Sequence, residues 1–307
     1  MNNDNPGLKS GVAFIDDAYV PIAAARIPLL DLGFLRSDAC QDTISVWQGT
    51  IFRLEDHLTR FERSFTRLRM QCPLDRDQRR GVVMECLRQT GFRDAYVQLI
   101  MTRGRMPIGT RDIRLAVNRF QAFCIPYVWV ATAEQRERGL RLIVSDIRRV
   151  PSPSVDPEVK HYHWLDFEMG LFEAYDRGAD SVVLTNLDGS IAEGPGFNVF
   201  VVRDGELLTP DSGVLDGITR ATILDLAREM NLRTRLARIE PDQLRGADEV
   251  FITSTAGGIM FVQQVDDRVI GDGAAGPTTQ RLGRLYWSKR EAGWLGTKAH
   301  YELEEST

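Results

Sequence analysis

Lysine is what this chain has least of among its charged residues. Of 38 lysines and arginines only four are lysine, at positions 9, 160, 289 and 298. A genome that favours arginine accounts for the ratio, but not for the position of Lys160, which lies between an extended segment and an aromatic-rich stretch. Cysteine is sparse too. Cys40, Cys72, Cys86 and Cys124 are scattered with no Cys-x-x-Cys pair, which argues against a zinc cluster or a redox motif and makes disulfides unnecessary. No hydrophobic run is long enough to span a bilayer; the most apolar stretch, 123–133, is broken by Pro126. The first residues, MNNDNPGLKSG, are polar and carry no secretory core, so a cytoplasmic protein is expected. Positive charge is not in excess either. A net charge of −5 gives no electrostatic grip on nucleic acid or an anionic membrane, so neither is expected as a partner.

Several motifs are also missing. There is no Gly-x-Ser-x-Gly elbow, no phosphate-binding Walker loop, no His-Glu-x-x-His and no Gly-x-Gly-x-x-Gly. His161 and His163 are spaced to share one strand face, but no third ligand lies nearby in sequence, and no metal site is expected.

The chain's 307 residues, 43% of them hydrophobic, suffice for a large buried core. Asp16-Asp17 and Gln48-Gly49 mark hairpin turns, the first between strands of 11–19, the second between 43–47 and 50–53. Leu58, Phe61, Phe65 and Leu68 recur at helical spacing, and a second helix is expected over 76–90, stopped by Gly91. A strand at 95–102 precedes an arginine-rich loop at 104–118, and 120–130 reads as an extended passage between domains. Beyond it, strands are expected at 140–147, 181–187, 197–203, 206–209 and 248–254. Helices are expected at 161–177, 219–231 and 277–291. The elements mix without βαβ alternation, which predicts an α+β fold. The expected domains are a small N-terminal one at 1–124, a linker at 125–133 and a large one at 134–307.

Four segments carry candidate chemistry. Lys160 ends an extended run, where a desolvated amine can act as a nucleophile. Glu193-Gly-Pro-Gly-Phe-Asn198 is a tight turn whose acid could hold a protonated ring nitrogen, or simply a turn. Gly217-Ile218-Thr219-Arg220 opens a helix and offers a phosphate cup, or merely a threonine N-cap. Ser254-Thr255-Ala256-Gly257-Gly258 is a second hydroxyl-bearing turn.

Taken together with Leu215-Asp-Gly-Ile-Thr-Arg220, Asp248-Glu249-Val-Phe, Gly276-Pro277 and Phe52-Arg53-Leu54-Glu55-Asp56-His57-Leu58-Thr59-Arg60, these segments resemble the class IV, or fold-type IV, aminotransferases. The match runs in order along nearly the whole chain. It implies a two-domain fold of the D-amino-acid aminotransferase type, with pyridoxal 5′-phosphate (PLP) in the cleft between domains and a homodimer. Residue by residue, it implies that Lys160 forms the Schiff base and shuttles the proton. Glu193 would pair with the pyridinium nitrogen, with Asn198 supporting its turn. Arg60, the amides of Ile218 and Thr219, and Thr255 with its neighbour Ser254 would bind the phosphate. Leu215 would pack on the ring.

Within this family the substrate pocket departs from the branched-chain pattern. Branched-chain enzymes carry Tyr-x-Arg where this chain has Tyr96-Val97-Gln98. Pro126-Tyr127-Val128-Trp129, Val155-Asp156-Pro157 and Trp164 are similar to the (R)-selective amine transaminases. Gln41 stands where that group has an aromatic wall, and Arg36 adds a cation near the mouth. Arg105, Arg111 and Arg114 lie in a loop that carries a switching arginine in that group. Gln41, Tyr96, Gln98, Trp164, Ala256 and Arg36 are thus the expected substrate contacts. The reading is a ping-pong transaminase that moves an amino group from an (R)-amine or D-amino acid to a keto acid such as pyruvate. Alternatives are a branched-chain or other class IV amino acid aminotransferase, or aminodeoxychorismate lyase.

Overall fold

Tight turns set the sheets. Asp16 and Asp17 have φ of 51° and 58°, Gln48 and Gly49 50° and 74°, and Asp204 and Gly205 51° and 68°. Left-handed backbone at both central residues is what a two-residue hairpin needs to match the twist of its strands. The computed structural model describes residues 11–301, so Lys9 and the polar start of the chain lie outside the described residues. The chain divides into two units. Among the described residues, one comprises those up to Val128, the short return Val159–Tyr162 and those from Gly293; the other comprises Trp129–Glu158 and His163–Ala292.

The first unit holds β1 (Val12–Ile15), β2 (Ala18–Pro21), α1 (Leu32–Arg36), β3 (Ala39–Trp47), β4 (Thr50–Phe52), α2 (Leu54–Arg67), α3 (Arg76–Thr90), β5 (Ala95–Arg105) and β6 (Val117–Pro126). With a last strand, Gly296–Lys298, they form a sheet in the order last strand, β4, β3, β5, β6, β1, β2. All its pairings are antiparallel. Leu54, Leu58, Phe61 and Phe65 fall on one face of α2, and all are buried. They share a core with Cys40, Ile44 and Val46 of β3 and with Val82, Val83 and Leu87 of α3. Asp75 and Gln78 form a capping box at the start of α3, and Gly91 closes it in the left-handed conformation. Gly104 sits at a register shift between β5 and β6, where an added Cβ would lie 1.7 Å from the Val117 carbonyl oxygen. Only glycine fits there.

Two expectations change here. Residues 120–126 are not a passage between domains but part of β6, paired with β5 and β1. The arginine-rich loop is also shorter at both ends, because β5 runs to Arg105 and β6 starts at Val117.

The second unit holds α4 (Ala133–Arg138), β7 (Leu140–Arg148), α5 (Leu165–Asp176), β8 (Ser181–Thr185), β9 (Asn198–Arg203), β10 (Glu206–Pro210) and α6 (Ile218–Glu229). Then come β11 (Arg233–Ala237), α7 (Pro241–Arg245), β12 (Glu249–Ser254), β13 (Gly258–Val265), β14 (Arg268–Val269) and α8 (Pro277–Glu291). The sheet order is β11-β10-β9-β12-β13-β7-β8, with β14 beside β13. The β10–β11, β13–β7 and β7–β8 pairings are parallel, and the rest are antiparallel. Val199, Val201, Val250, Ile252 and Val262 line its core. Glu249 accepts from the backbone N–H of Thr278 (2.9 Å) and of Thr279 (2.7 Å), and so caps α8.

The helix expected from 161 begins only at Leu165. Cys40 and His161 instead form an isolated β-bridge, and the His161 N–H donates to the Val159 carbonyl at 2.8 Å, so the chain turns tightly at Lys160. β11 and β13 were not expected at all.

Candidate active site

In the first unit Lys160 is held by its backbone on both sides. Its carbonyl accepts from Gln41 N at 2.9 Å, and its N–H donates to Ser64 Oγ at 3.2 Å. Ser64 Oγ in turn donates to the Arg60 carbonyl at 3.0 Å. One turn of α2 therefore carries both Arg60 and the anchor of the lysine strand. Arg60 is buried, and its Nε and Nη2 both donate to Asp42, each at 2.8 Å. Burial alone would raise the Asp42 carboxyl, but the Arg60 guanidinium and the His57 hydrogen bond outweigh it and hold the group well below the usual carboxylate range. Burial lowers His57, against the pull of Asp42.

The expected substrate residues of this unit form one polar strip. Thr43 pairs with Gln98 and Ser45 with Tyr96 across β3 and β5, so these side chains share a sheet face. Thr43 Oγ1 donates to Gln41 Oε1 (3.1 Å) and lies 3.2 Å from Tyr96 Oη. Gln98 Nε2 donates to Tyr162 Oη at 2.8 Å. Burial raises the Tyr162 and Tyr96 hydroxyls, so both are neutral at physiological pH. The strip is uncharged throughout. Arg36 stands apart: it is exposed at the end of α1 and, among the described residues, makes no ion pair.

In the second unit the structure brings Glu193, Asn198 and Leu215 together. Glu193 Oε2 accepts from Asn198 Nδ2 (3.2 Å) and from Leu215 N (3.0 Å), while Arg149 Nη2 reaches Oε1 at 3.5 Å. Arg149 also pairs with Asp166 and lies over the Phe167 ring, 4.0 Å from its centroid. Asn198 Nδ2 also donates to the Leu215 carbonyl at 3.0 Å. Its Oδ1 lies 2.0 Å from where a Cβ on Gly217 would stand, so glycine is required for this close approach. Gly217 is the N-cap of α6 and provides no side-chain cap. The threonine N-cap alternative is thus corrected: Thr219 lies one residue inside the helix and is buried. An N-terminus without a side-chain cap leaves backbone N–H groups of Ile218 and Thr219 to serve an anion. Ser254 Oγ donates to the Gly196 carbonyl at 2.9 Å and accepts from Ala256 N at 3.2 Å, tying the 254–258 turn to the Glu193 turn. Trp164 precedes α5 and packs edge-on to Phe167, with centroids 5.5 Å apart.

Within the second unit alone, the uncapped N-terminus of α6 suits a phosphate dianion and the fixed Glu193 carboxylate suits a protonated pyridine. Among the described residues no group of three His, Cys, Asp or Glu is placed to hold a metal ion.

Asp42, His57, Ser64, Arg149 and Tyr162 were not singled out from the sequence. Asp42 carried a readable signal, since it alternates in phase with the apolar Cys40, Ile44 and Val46 along β3.

Comparison with known proteins agrees with this chemistry. The family model for amino-transferase class IV matches residues 39–265. A putative branched-chain-amino-acid aminotransferase of Methanocaldococcus jannaschii is 31% identical over 88% of this chain and 93% of its own. A branched-chain-amino-acid aminotransferase of Pseudomonas aeruginosa is 33% identical over 78% of this chain and 79% of its own. Among solved structures, a T.th. branched-chain amino acid aminotransferase with pyridoxamine 5′-phosphate superposes with a TM-score of 0.88 at 28% identity, covering 95% of this chain and 100% of that one. The protein is therefore a PLP-dependent aminotransferase. It belongs to the class IV aminotransferase family and has the α+β architecture of fold type IV.

Proposed function

We propose that the protein is a class IV amino acid aminotransferase for branched-chain and related neutral amino acids, passing the amino group to a keto acid in a ping-pong reaction. The observation that carries this reading is the 31% identity, over nearly full length, to a relative named for branched-chain amino acids. A structural neighbour from Thermoproteus uzoniensis, at 27% identity and a TM-score of 0.86, was solved with norvaline, and the T.th. enzyme with 4-methylvaleric acid. Both ligands end in a neutral aliphatic group, which suits a pocket wall without charge.

PLP supplies the electron sink that stabilises negative charge at the substrate's α-carbon. Lys160 Nζ is assigned the covalent attachment and the removal of the α-proton. Glu193 would keep the ring nitrogen protonated and is itself oriented by Asn198, Leu215 N and Arg149. Arg60, Thr255 with Ser254, and the amides of Ile218 and Thr219 would hold the cofactor's phosphate. Leu215 would pack against the ring. Gln41, Tyr96, Gln98, Trp164 and Ala256 are assigned to the substrate. A homodimer is part of the proposal.

One observation favours a second reading, an (R)-amine or D-amino acid donor. Gln98 replaces the arginine of the branched-chain Tyr-x-Arg and is bonded to Tyr162 instead of offering a cation. A donor panel separates the two. Bleaching of the bound-cofactor absorbance should be fastest with L-leucine or L-valine. Faster bleaching by (R)-1-phenylethylamine or D-alanine would establish the second reading.

A further inference from the structure

The row Cys40, Asp42, Ile44, Val46 on β3 faces the helices, and its other members belong to the core of the first unit. A carboxylate in that row is costly unless it is fully satisfied. Asp42 is 0% exposed, Arg60 5% and His57 1%. Asp42 Oδ2 accepts from Arg60 Nε at 2.8 Å. Oδ1 accepts from Arg60 Nη2 at 2.8 Å and lies 2.7 Å from His57 Nδ1. Arg60 and His57 are three residues apart on α2, so both reach the same strand position. An ionised carboxylate can only accept, so Nδ1 is the donor in this bond, while burial lowers the imidazole's pKa.

A buried ion pair adds little to stability compared with apolar packing of similar volume. What it provides is orientation. A bidentate fork fixes the guanidinium plane, which a single contact leaves free to turn. The His57 bond fixes the carboxylate in turn. The same α2 turn anchors Lys160 through Ser64, so the guanidinium and the lysine backbone share one rigid frame.

We propose that Asp42, backed by His57, is a positioning residue for the cofactor phosphate, acting through the orientation of Arg60. The inference rests on the reading that Arg60 takes the phosphate. Pyridoxal, which lacks the phosphate, separates this role from a merely structural one. The holoenzyme is dialysed to remove cofactor, and the full chain is titrated with PLP and with pyridoxal in parallel. Asp42→Asn should weaken PLP by about tenfold to a hundredfold, as when a hydrogen bond to a charged group is lost, and leave pyridoxal within about twofold. Equal loss for both, or no loss for either, overturns the proposal. Arg60→Gln tests the underlying reading: an unchanged PLP-to-pyridoxal ratio in that variant removes Arg60 from the phosphate site. A collapsed ratio in Arg60→Gln with an intact one in Asp42→Asn sinks the role of Asp42 alone. Should Asp42→Asn fail to fold, His57→Phe removes only the backing donor. The ratio should then fall by at least about threefold, the loss of a single hydrogen bond, and an unchanged ratio overturns the proposal.

Discussion

Replacing Ser64 with alanine removes one hydroxyl that does two things. Its oxygen accepts from Lys160 N at 3.2 Å, and its proton goes to the Arg60 carbonyl at 3.0 Å. The second bond is minor, because a helix carbonyl already has a main-chain partner; its loss costs about 0.5 kcal/mol. The first matters more. Ser64 is 0% exposed, and removing an acceptor from such a place costs about 1–3 kcal/mol. The sum is about 1.5–3.5 kcal/mol, or a fall in Tm of roughly 3–14 °C for a unit of this size. Turnover should fall too, by about tenfold to a hundredfold, since the lysine backbone loses one of its two anchors and small misplacements at a reacting group are expensive. Thermal unfolding and steady-state kinetics on the holoenzyme read both quantities. Ser64→Thr keeps the hydroxyl and should restore most of each. A Ser64→Ala protein with unchanged Tm and kcat, or a threonine variant no better than alanine, would refute the anchoring argument.

Glu193→Gln keeps the shape but gives up the charge, and one of its two oxygen positions becomes a donor facing Leu215 N, Asn198 or Arg149. Turnover should fall by about a hundredfold or more, as when a preorganised charge is removed from an active site; stopped-flow half-reactions check it, and a loss under about tenfold would count against the assignment. Stability should also depend on pH through His57. Its folded pKa is lowered by burial, so below about 6.5 the unfolded chain takes the proton first and stability falls as pH drops. Asp42, depressed by Arg60 and His57, adds a contribution present above about 3.9 and lost at lower pH. Urea unfolding between pH 5 and 8 should show stability rising with pH, and His57→Phe should flatten the part near neutrality; an unchanged slope in the variant would contradict it. In the core, Phe61→Ala should cost about 3–5 kcal/mol, since Phe61 is 0% exposed in the core of the first unit; a chemical-denaturation loss below about 1.5 kcal/mol would contradict that packing.

Local signals in the sequence were strong where chemistry is local. Asp16-Asp17 and Gln48-Gly49 marked their hairpins because few residues accept left-handed backbone. The limits of α3 and α8 were legible from Gly91 and Pro277. β11 was not, since four of its five residues are exposed and it reads as polar chain. β13 follows directly on the 254–258 turn, and its side chains alternate between buried and partly buried without a clear polar face. Residues 120–126 pass for a linker because a strand buried among neighbours looks like any apolar extended run until its pairing is known. The candidate site divides in the same way. Glu193, Asn198 and Leu215 lie within 22 residues and are joined in space. The links between Lys160 and Ser64, and between Gln98 and Tyr162, span 96 and 64 residues and depend on tertiary pairing that no local pattern encodes.

The proposed transamination requires that Lys160 carry the cofactor. Treatment of the holoenzyme with borohydride, followed by digestion and mass spectrometry, should find a reduced pyridoxyl group on the peptide containing Lys160. A pyridoxyl group on Lys289 or Lys298 instead, or on no lysine at all, would contradict it.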